Sequence, residues 1–303
     1  MLRRINAIAA AALESGALRE LKSLPSFCPY DAAATGGPSA VIIRSLEQSK
    51  RTKDNLRSKE KTPAGAVLNP LSRSPFNPPE PELLIESYNG GAHHLLWNKF
   101  CVMRPHLLLV AAPPASQRTD LAPADLAALR TVCDALRPDM DPLCFYNCGE
   151  LSGASQEQRH IQITPAQFLL DDGTPFRYIL DALCSEAPRD AHQIGSLAYD
   201  HEFVALDDSS DWAECYAEIV GRLRARYTES ELSYNMLCTP RWMIVIPRSK
   251  ADWTGDEVEG ALSMNSMGYA GSLFCRTDAM ADHVRLRTPA WFLLQCSYPK
   301  QSY

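Results

Sequence analysis

Three apolar runs with strand character, at residues 83–88, 93–97 and 106–110, follow one another with no helical segment between them. Neighbouring parallel strands need a crossover of a dozen or more residues, usually a helix, whereas antiparallel neighbours join through short turns. The gaps at 89–92 and 98–105 are too short for crossovers. The same economy recurs downstream. Runs at 143–147 and 159–163 flank a loop of small residues at 148–156, and runs at 233–237 and 242–246 are joined through Thr239-Pro240. These spacings predict an α+β fold, a mixed or antiparallel sheet with flanking helices, rather than a doubly wound parallel sheet. Helical periodicity is confined to 121–137, opened by Pro123 and Asp125, to 211–227, and to an alanine-rich N-terminus ending near Ser15-Gly16. Residues 257–274, with small residues at their centre, are also compatible with a helix.

Proline punctuation up to Glu82 separates the regular core from a less ordered beginning. Residues 1–70 read as an N-terminal helix followed by an irregular basic segment, within which Val41-Ile42-Ile43 reads as a strand. Residues 71–190 would form the N-terminal part of the core, and 191–303 would complete the same core. Between Lys50 and Lys61 there are six bases and two acids. That run is read as a solvated loop, with a phosphate-facing loop as the alternative. The whole chain carries a net charge of −6, which argues against a general nucleic-acid coat. No apolar run reaches the roughly 18 residues of a membrane span. The ten cysteines include no CxxC pair, and Cys144 and Cys148 have no Cys/His partners at zinc-site spacing, so reduced buried thiols in a cytoplasmic protein are expected. Arg3 and Arg4 faintly resemble a mitochondrial presequence, against which Glu14 and Glu20 argue.

The sequence lacks the GxSxG elbow, the GxxxxGK[ST] phosphate loop and a glycine-rich dinucleotide fingerprint. Chemistry concentrates instead in FYNCGELSGASQEQRHIQITP, residues 145–165. Its loop offers Gly149, Ser152, Gly153 and Ser155, whose backbone amides suit anionic oxygens. Gln158, His160 and Gln162 then alternate, and alternate strand residues share a face. Such a face holds an imidazole between two amides. A neutral imidazole fixed in one tautomer is a nucleophile toward phosphorus, and amides donate to phosphate oxygens without adding charge. A half-buried structural histidine is the alternative reading.

This stretch resembles the signature of the diadenosine tetraphosphate phosphorylases, or ATP adenylyltransferases, a branch of the histidine-triad superfamily. Three further segments are similar to the family's: HHLLWNKFCVMRPHLLLV at 93–110, SYNMLCTPRWMIVIPRS at 233–249, and NSMGYAGSLF at 265–274. The proline-rich SPFNPPEPELLI fits the approach to the family's core. The resemblance implies a histidine-triad-like sheet and phosphorolysis of diadenosine tetraphosphate to ATP and ADP, with His160 as nucleophile and inorganic phosphate as second substrate. It implies that Gln158 and Gln162 flank the nucleophile. Asn98, Lys99, Asn147, Gly149, Ser152, Gly153, Ser155, Gln156 and Asn235 would bind the substrate. Ser233, Asn235 and Trp242 could be core residues instead. A divalent cation, most naturally magnesium, would be carried by the substrate's phosphates with no dedicated protein cage. One departure stands out: the family's first motif histidine is replaced by Gln158. Its backbone carbonyl would still hold the ring of His160, and its side-chain amide would touch a phosphate oxygen. The departure leaves open a dinucleoside polyphosphate hydrolase and a catalytically weak nucleotide-binding protein.

Overall fold

The computed structural model describes residues 1–20, 25–30, 40–45, 74–101, 103–170, 173, 175–227 and 232–300. The basic run at 50–61 lies outside the described residues. Eight strands form the central sheet: β1 (Leu84–Tyr88), β2 (His93–Trp97), β3 (Leu107–Ala111), β4 (Pro142–Cys148), β5 (His160–Pro165), β6 (Glu202–Ala205), β7 (Tyr234–Thr239) and β8 (Trp242–Pro247). Their order across the sheet is β6-β8-β7-β4-β5-β3-β2-β1, and every adjacent pair is antiparallel. Short gaps account for the consecutive pairs β1–β2, β2–β3, β4–β5 and β7–β8, because hairpins and brief loops can only reverse the chain, whereas β3–β5, β4–β7 and β6–β8 join strands that are not consecutive in the sequence.

The two faces of this sheet are covered differently. On one face Leu95, Leu107, Leu109, Cys144, Tyr146, Ile161, Ile163, Met236 and Val245 pack against three helices: α1 (Leu2–Glu14), α2 (Pro123–Leu136) and α3 (Trp212–Arg226). Each helix has a physical start. Pro123 opens α2, where a missing N–H costs nothing. Asp211 caps α3 by accepting from the Ala213 and Glu214 amides at 2.8 and 3.1 Å. The opposite face is covered over β4, β6, β7 and β8 by a second core, where Phe145, Phe203, Leu237, Trp242, Ile244 and Ile246 meet Ile179, Met264, Met267 and Tyr269. Farther along, Leu96, Leu108 and Val110 form a separate small cluster with Phe76 and Leu84. His160 and Gln162 alternate with the helix-facing Ile161 and Ile163, so they lie on this second face between the two apolar regions.

The stretch 257–274 departs from the single helix that its sequence allows. It makes a strand (Val258–Ser263) paired with Asp252–Gly255, then a five-residue helix, α4 (Ser266–Ala270), then a strand (Ser272–Cys275). Asn265 starts α4 by accepting from the Met267 and Gly268 amides, and Gly271 ends it at φ +114°. The last strand pairs in parallel with Ala40–Ser45, so the Val41-Ile42-Ile43 run is indeed extended. A side chain at Gly271 would place its Cβ 2.7 Å from Ile179 Cγ2. Gly271→Ala is therefore expected to lower stability by about 1–3 kcal/mol, through strain at a positive φ and the clash. Urea denaturation with an unchanged m-value measures that loss, and an unchanged midpoint would contradict it.

Candidate active site

β4 and β5 pair regularly from Pro142↔Pro165 as far as Phe145↔Gln162, and then part. Continuing that register by two residues would set Asn147 opposite His160. The side chain of Gln117 occupies the space between them. Its Oε1 accepts from the His160 amide at 2.8 Å, and its Nε2 donates to the Asn147 carbonyl at 2.8 Å. A side-chain amide thus replaces one rung of the ladder and holds the strands open. The Gln117 backbone secures both strands as well, donating to the Glu157 carbonyl and accepting from the Gly149 amide. The buried Gln117 went unrecognised in the sequence, because one glutamine in a polar loop carries no periodic signal.

His160 sits at the fork and is buried. Its Nδ1 lies 2.7 Å from the Gln158 carbonyl, which can only accept, so Nδ1 carries the proton. Nε2 is left with its lone pair, and no protein partner engages it among the described residues. Burial pushes the imidazole below its ordinary pKa of 6.5, and the Gln158 carbonyl opposes this only in part. The Phe76 ring stands 5.5 Å from the imidazole, centroid to centroid.

Gln158 behaves as expected through its backbone and otherwise through its side chain. The side chain is 1 % exposed, and Nε2 donates to the Ala111 carbonyl at 2.7 Å. It fastens the loop before β5 to the end of β3 instead of facing a phosphate. Gln162 Oε1 lies 2.8 Å from His106 Nε2, and Asn98 Nδ2 contacts the same ring nitrogen at 3.1 Å. Lys99 follows Asn98 and pairs with Glu80 at 2.7 Å. By strand rise, His160 and the level of Asn98 are separated by about 13 Å. The stretch that begins at Ser74 covers this lane, reaching His160 with Phe76 and Lys99 with Glu80.

The small-residue loop closes the other side. Gly149 (φ +85°) and Gly153 (φ +78°) are imposed by conformation and by space: a Cβ at Gly153 would lie 2.2 Å from the Met264 carbonyl oxygen. Leu151 N donates to Ser233 Oγ, and Ser152 Oγ donates back to the Gly149 carbonyl. Asn147 Oδ1 accepts from Asn235 Nδ2 at 2.8 Å, Ser266 N at 3.0 Å and Ser266 Oγ at 2.7 Å. Asn147, Ser152 and Asn235 are thus buried and tie the loop to β7 and α4. Ser155 is exposed at the mouth, with Gly153, Ala154 and Gln156 partly exposed beside it. Among the described residues, the amides of 153–156 find no protein acceptor, and amides in such a loop can accept an anion. Trp242 is a core residue, with Nε1 donating to Asp181 at 2.9 Å. Among the described residues no group of three or more His, Cys, Asp or Glu side chains could hold a metal ion. No described helix is long and apolar enough to cross a membrane.

Comparison with known proteins places the chain in a family. Residues 1–182 match the Ap4A phosphorylase N-terminal domain, and residues 174–299 match the ATP adenylyltransferase C-terminal domain. Diadenosine 5',5'''-P1,P4-tetraphosphate phosphorylase 2 of Saccharomyces cerevisiae is 32% identical over 260 residues, 75% of this chain and 77% of the relative. Protein APA1 of the same yeast is 29% identical over 262 residues, 77% of this chain and 78% of the relative. The crystal structure of yeast Ap4A phosphorylase Apa2 in complex with AMP superposes with a TM-score of 0.77 at 26% identity, covering 99% of this chain and 97% of that one. Its complex with Ap4A gives a TM-score of 0.76 at 25% identity, covering 99% and 98%. With both family domains matched in order along one antiparallel sheet, the chain belongs to the Ap4A phosphorylase (ATP adenylyltransferase) family.

Proposed function

We propose that the protein cleaves diadenosine tetraphosphate by phosphorolysis, releasing ATP and ADP through an adenylyl group carried on His160. The observation that carries this reading is the fixed tautomer of His160: Nδ1–H is held on the Gln158 carbonyl at 2.7 Å and Nε2 is left as the nucleophile. Nε2 forms a bond to an α-phosphorus while the bond to the bridging oxygen breaks, and ATP leaves with that oxygen. Inorganic phosphate then attacks the same phosphorus, the N–P bond breaks, and ADP leaves. The polyphosphate is a good leaving group and asks for little acid assistance. A glutamine at the first motif position can therefore serve, since all that His160 draws from it is a carbonyl.

Charge on the phosphoryl oxygens is met by the amides of 153–156 and by the Gln162 side chain. Gln162 Oε1 faces His106, so its amino group is turned the other way. Lys99 lies farther along the lane and would exchange Glu80 for a phosphate of the leaving group. A divalent cation, most simply magnesium, would ride on the polyphosphate and neutralise part of its charge.

Incubation with diadenosine tetraphosphate, with and without inorganic phosphate, tests the whole reading. ATP plus ADP should appear only when phosphate is present. ATP plus AMP at the same rate without phosphate would make the protein a hydrolase, and nucleotide binding without turnover would make it a binding protein. His160→Ala should abolish turnover with the fold intact, and activity within about tenfold of wild type, a barrier change of only about 1.4 kcal/mol, would exclude the covalent route.

The pH profile follows from burial. Protonated His160 cannot attack, so activity falls as pH drops through its folded pKa. That pKa is depressed, so the acid limb of kcat/KM should lie below 6.5. A limb at or above 6.5 would place the imidazole in an open, solvated setting. Gln158→Ala separates backbone from side chain. It removes the donor to the buried Ala111 carbonyl and should cost about 1–3 kcal/mol of stability, while kcat stays within about tenfold. A variant as inactive as His160→Ala would show that the side chain itself acts. Lys99→Ala should weaken kcat/KM by about 2–4 kcal/mol. Glu80→Gln should strengthen substrate binding, by about 0.2–1 kcal/mol, the scale of a partly exposed ion pair. Unchanged kinetics in Lys99→Ala would reduce the Lys99–Glu80 pair to surface decoration.

A further inference from the structure

Arg248, near the end of the 233–249 segment, is fully buried at 0 % exposure. Its Nε donates to the Cys296 carbonyl at 2.9 Å. Its Nη1 donates to Asn235 Oδ1, to the Met264 carbonyl at 3.0 Å and to the Ser152 carbonyl at 3.3 Å. Its Nη2 donates to the Lys250 carbonyl at 2.6 Å. The guanidinium also lies over the Tyr269 ring, 5.2 Å from the centroid. Every acceptor is neutral, and among the described residues no carboxylate pairs with it. Arginine keeps its charge in proteins, and a buried charge is ordinarily paired. A permanent positive charge is therefore enclosed here with only dipoles around it.

Its location gives that charge a use. The Ser152 carbonyl accepts from both Arg248 and Asn235, at 3.3 and 2.9 Å, and is directed inward. In a trans peptide the following N–H points the opposite way, so the Gly153 amide is directed outward at the mouth of the loop. Arg248 also holds Asn235, which holds Asn147. One buried cation thus braces the loop at two points and stands directly behind the amides left for an anion.

We propose that Arg248 is the positioning residue that aims the 153–156 amides at phosphate, and that the phosphates of the bound nucleotide are the counter-charge it lacks within the protein. This rests on the nucleotide-binding reading of the site. Binding of AMP and of uncharged adenosine to the wild type, Arg248→Gln and Arg248→Lys separates the possibilities, with circular dichroism and melting temperature reporting the fold. Arg248→Gln should weaken AMP binding by about tenfold or more and adenosine binding by less than about twofold. Arg248→Lys keeps the charge but cannot span the same carbonyls, and should fall between wild type and Arg248→Gln for AMP. Equal losses for AMP and adenosine, or no loss of either, would overturn the proposal. If Arg248→Gln does not fold, Arg248→Lys decides alone: a greater loss for AMP than for adenosine supports the role, and parallel losses overturn it. A wild type that binds neither molecule would overturn the nucleotide reading of the site and this role with it.

Discussion

The site depends on a side-chain amide inserted where a sheet rung should be. β4 and β5 would zip onward past Phe145↔Gln162 if backbone pairing alone decided. The Gln117 amide instead bonds the Asn147 carbonyl and the His160 N–H at 2.8 Å each, so both backbone groups are satisfied while the strands stay apart. This resolves a conflict in the physics. A buried fork needs every polar group paired, yet these strands part before their own backbones can pair there. With the rung replaced, β4 can turn into the small-residue loop and β5 can present His160.

Behind the fork lies a polar network within an otherwise apolar face. Asn147, Asn235, Ser152, Ser266 and Arg248 are all buried and all engaged with one another or with backbone carbonyls. Such networks are worth having when complete and costly when one member is missing. That explains why residues expected to touch the substrate prove to hold up the loop. The groups that face outward are mainly backbone amides, which any residue could supply. The buried side chains decide where those amides point.

Much of this could be read in the sequence because local rules govern it. Strands β1, β2 and β3 were legible from short gaps that permit only reversal, α2 from Pro123 and its periodicity, and His160 from alternation with Ile161 and Ile163. Backbone orientation of His160 by Gln158 was legible only through the resemblance to the histidine-triad enzymes, and it survives the glutamine because a carbonyl is independent of residue type. The side chain of Gln158 was misread, since its partner, the Ala111 carbonyl, is 47 residues away in the chain. Gln117 and Arg248 escaped for the same reason: their roles exist only after distant segments meet. Residues 257–274 are compatible with a helix by composition, but the positive φ at Gly271 and the pairing of Val258–Ser263 with Asp252–Gly255 prevailed. There tertiary pairing overrode a permissive local preference.

The two matched family domains divide the chain between residues 174 and 182, but the sheet does not divide there. β4 belongs to the first part and its neighbour β7 to the second, joined through Tyr234↔Cys148 to Cys238↔Cys144. A chain severed at that boundary would leave β4 as a bare sheet edge, with a row of unpaired amides on the strand that carries Asn147. Each fragment would expose a strand edge that the whole chain keeps paired. In this protein the seam recognised in sequence space runs through the middle of one continuous sheet, so a cut there would unpair two of its central strands.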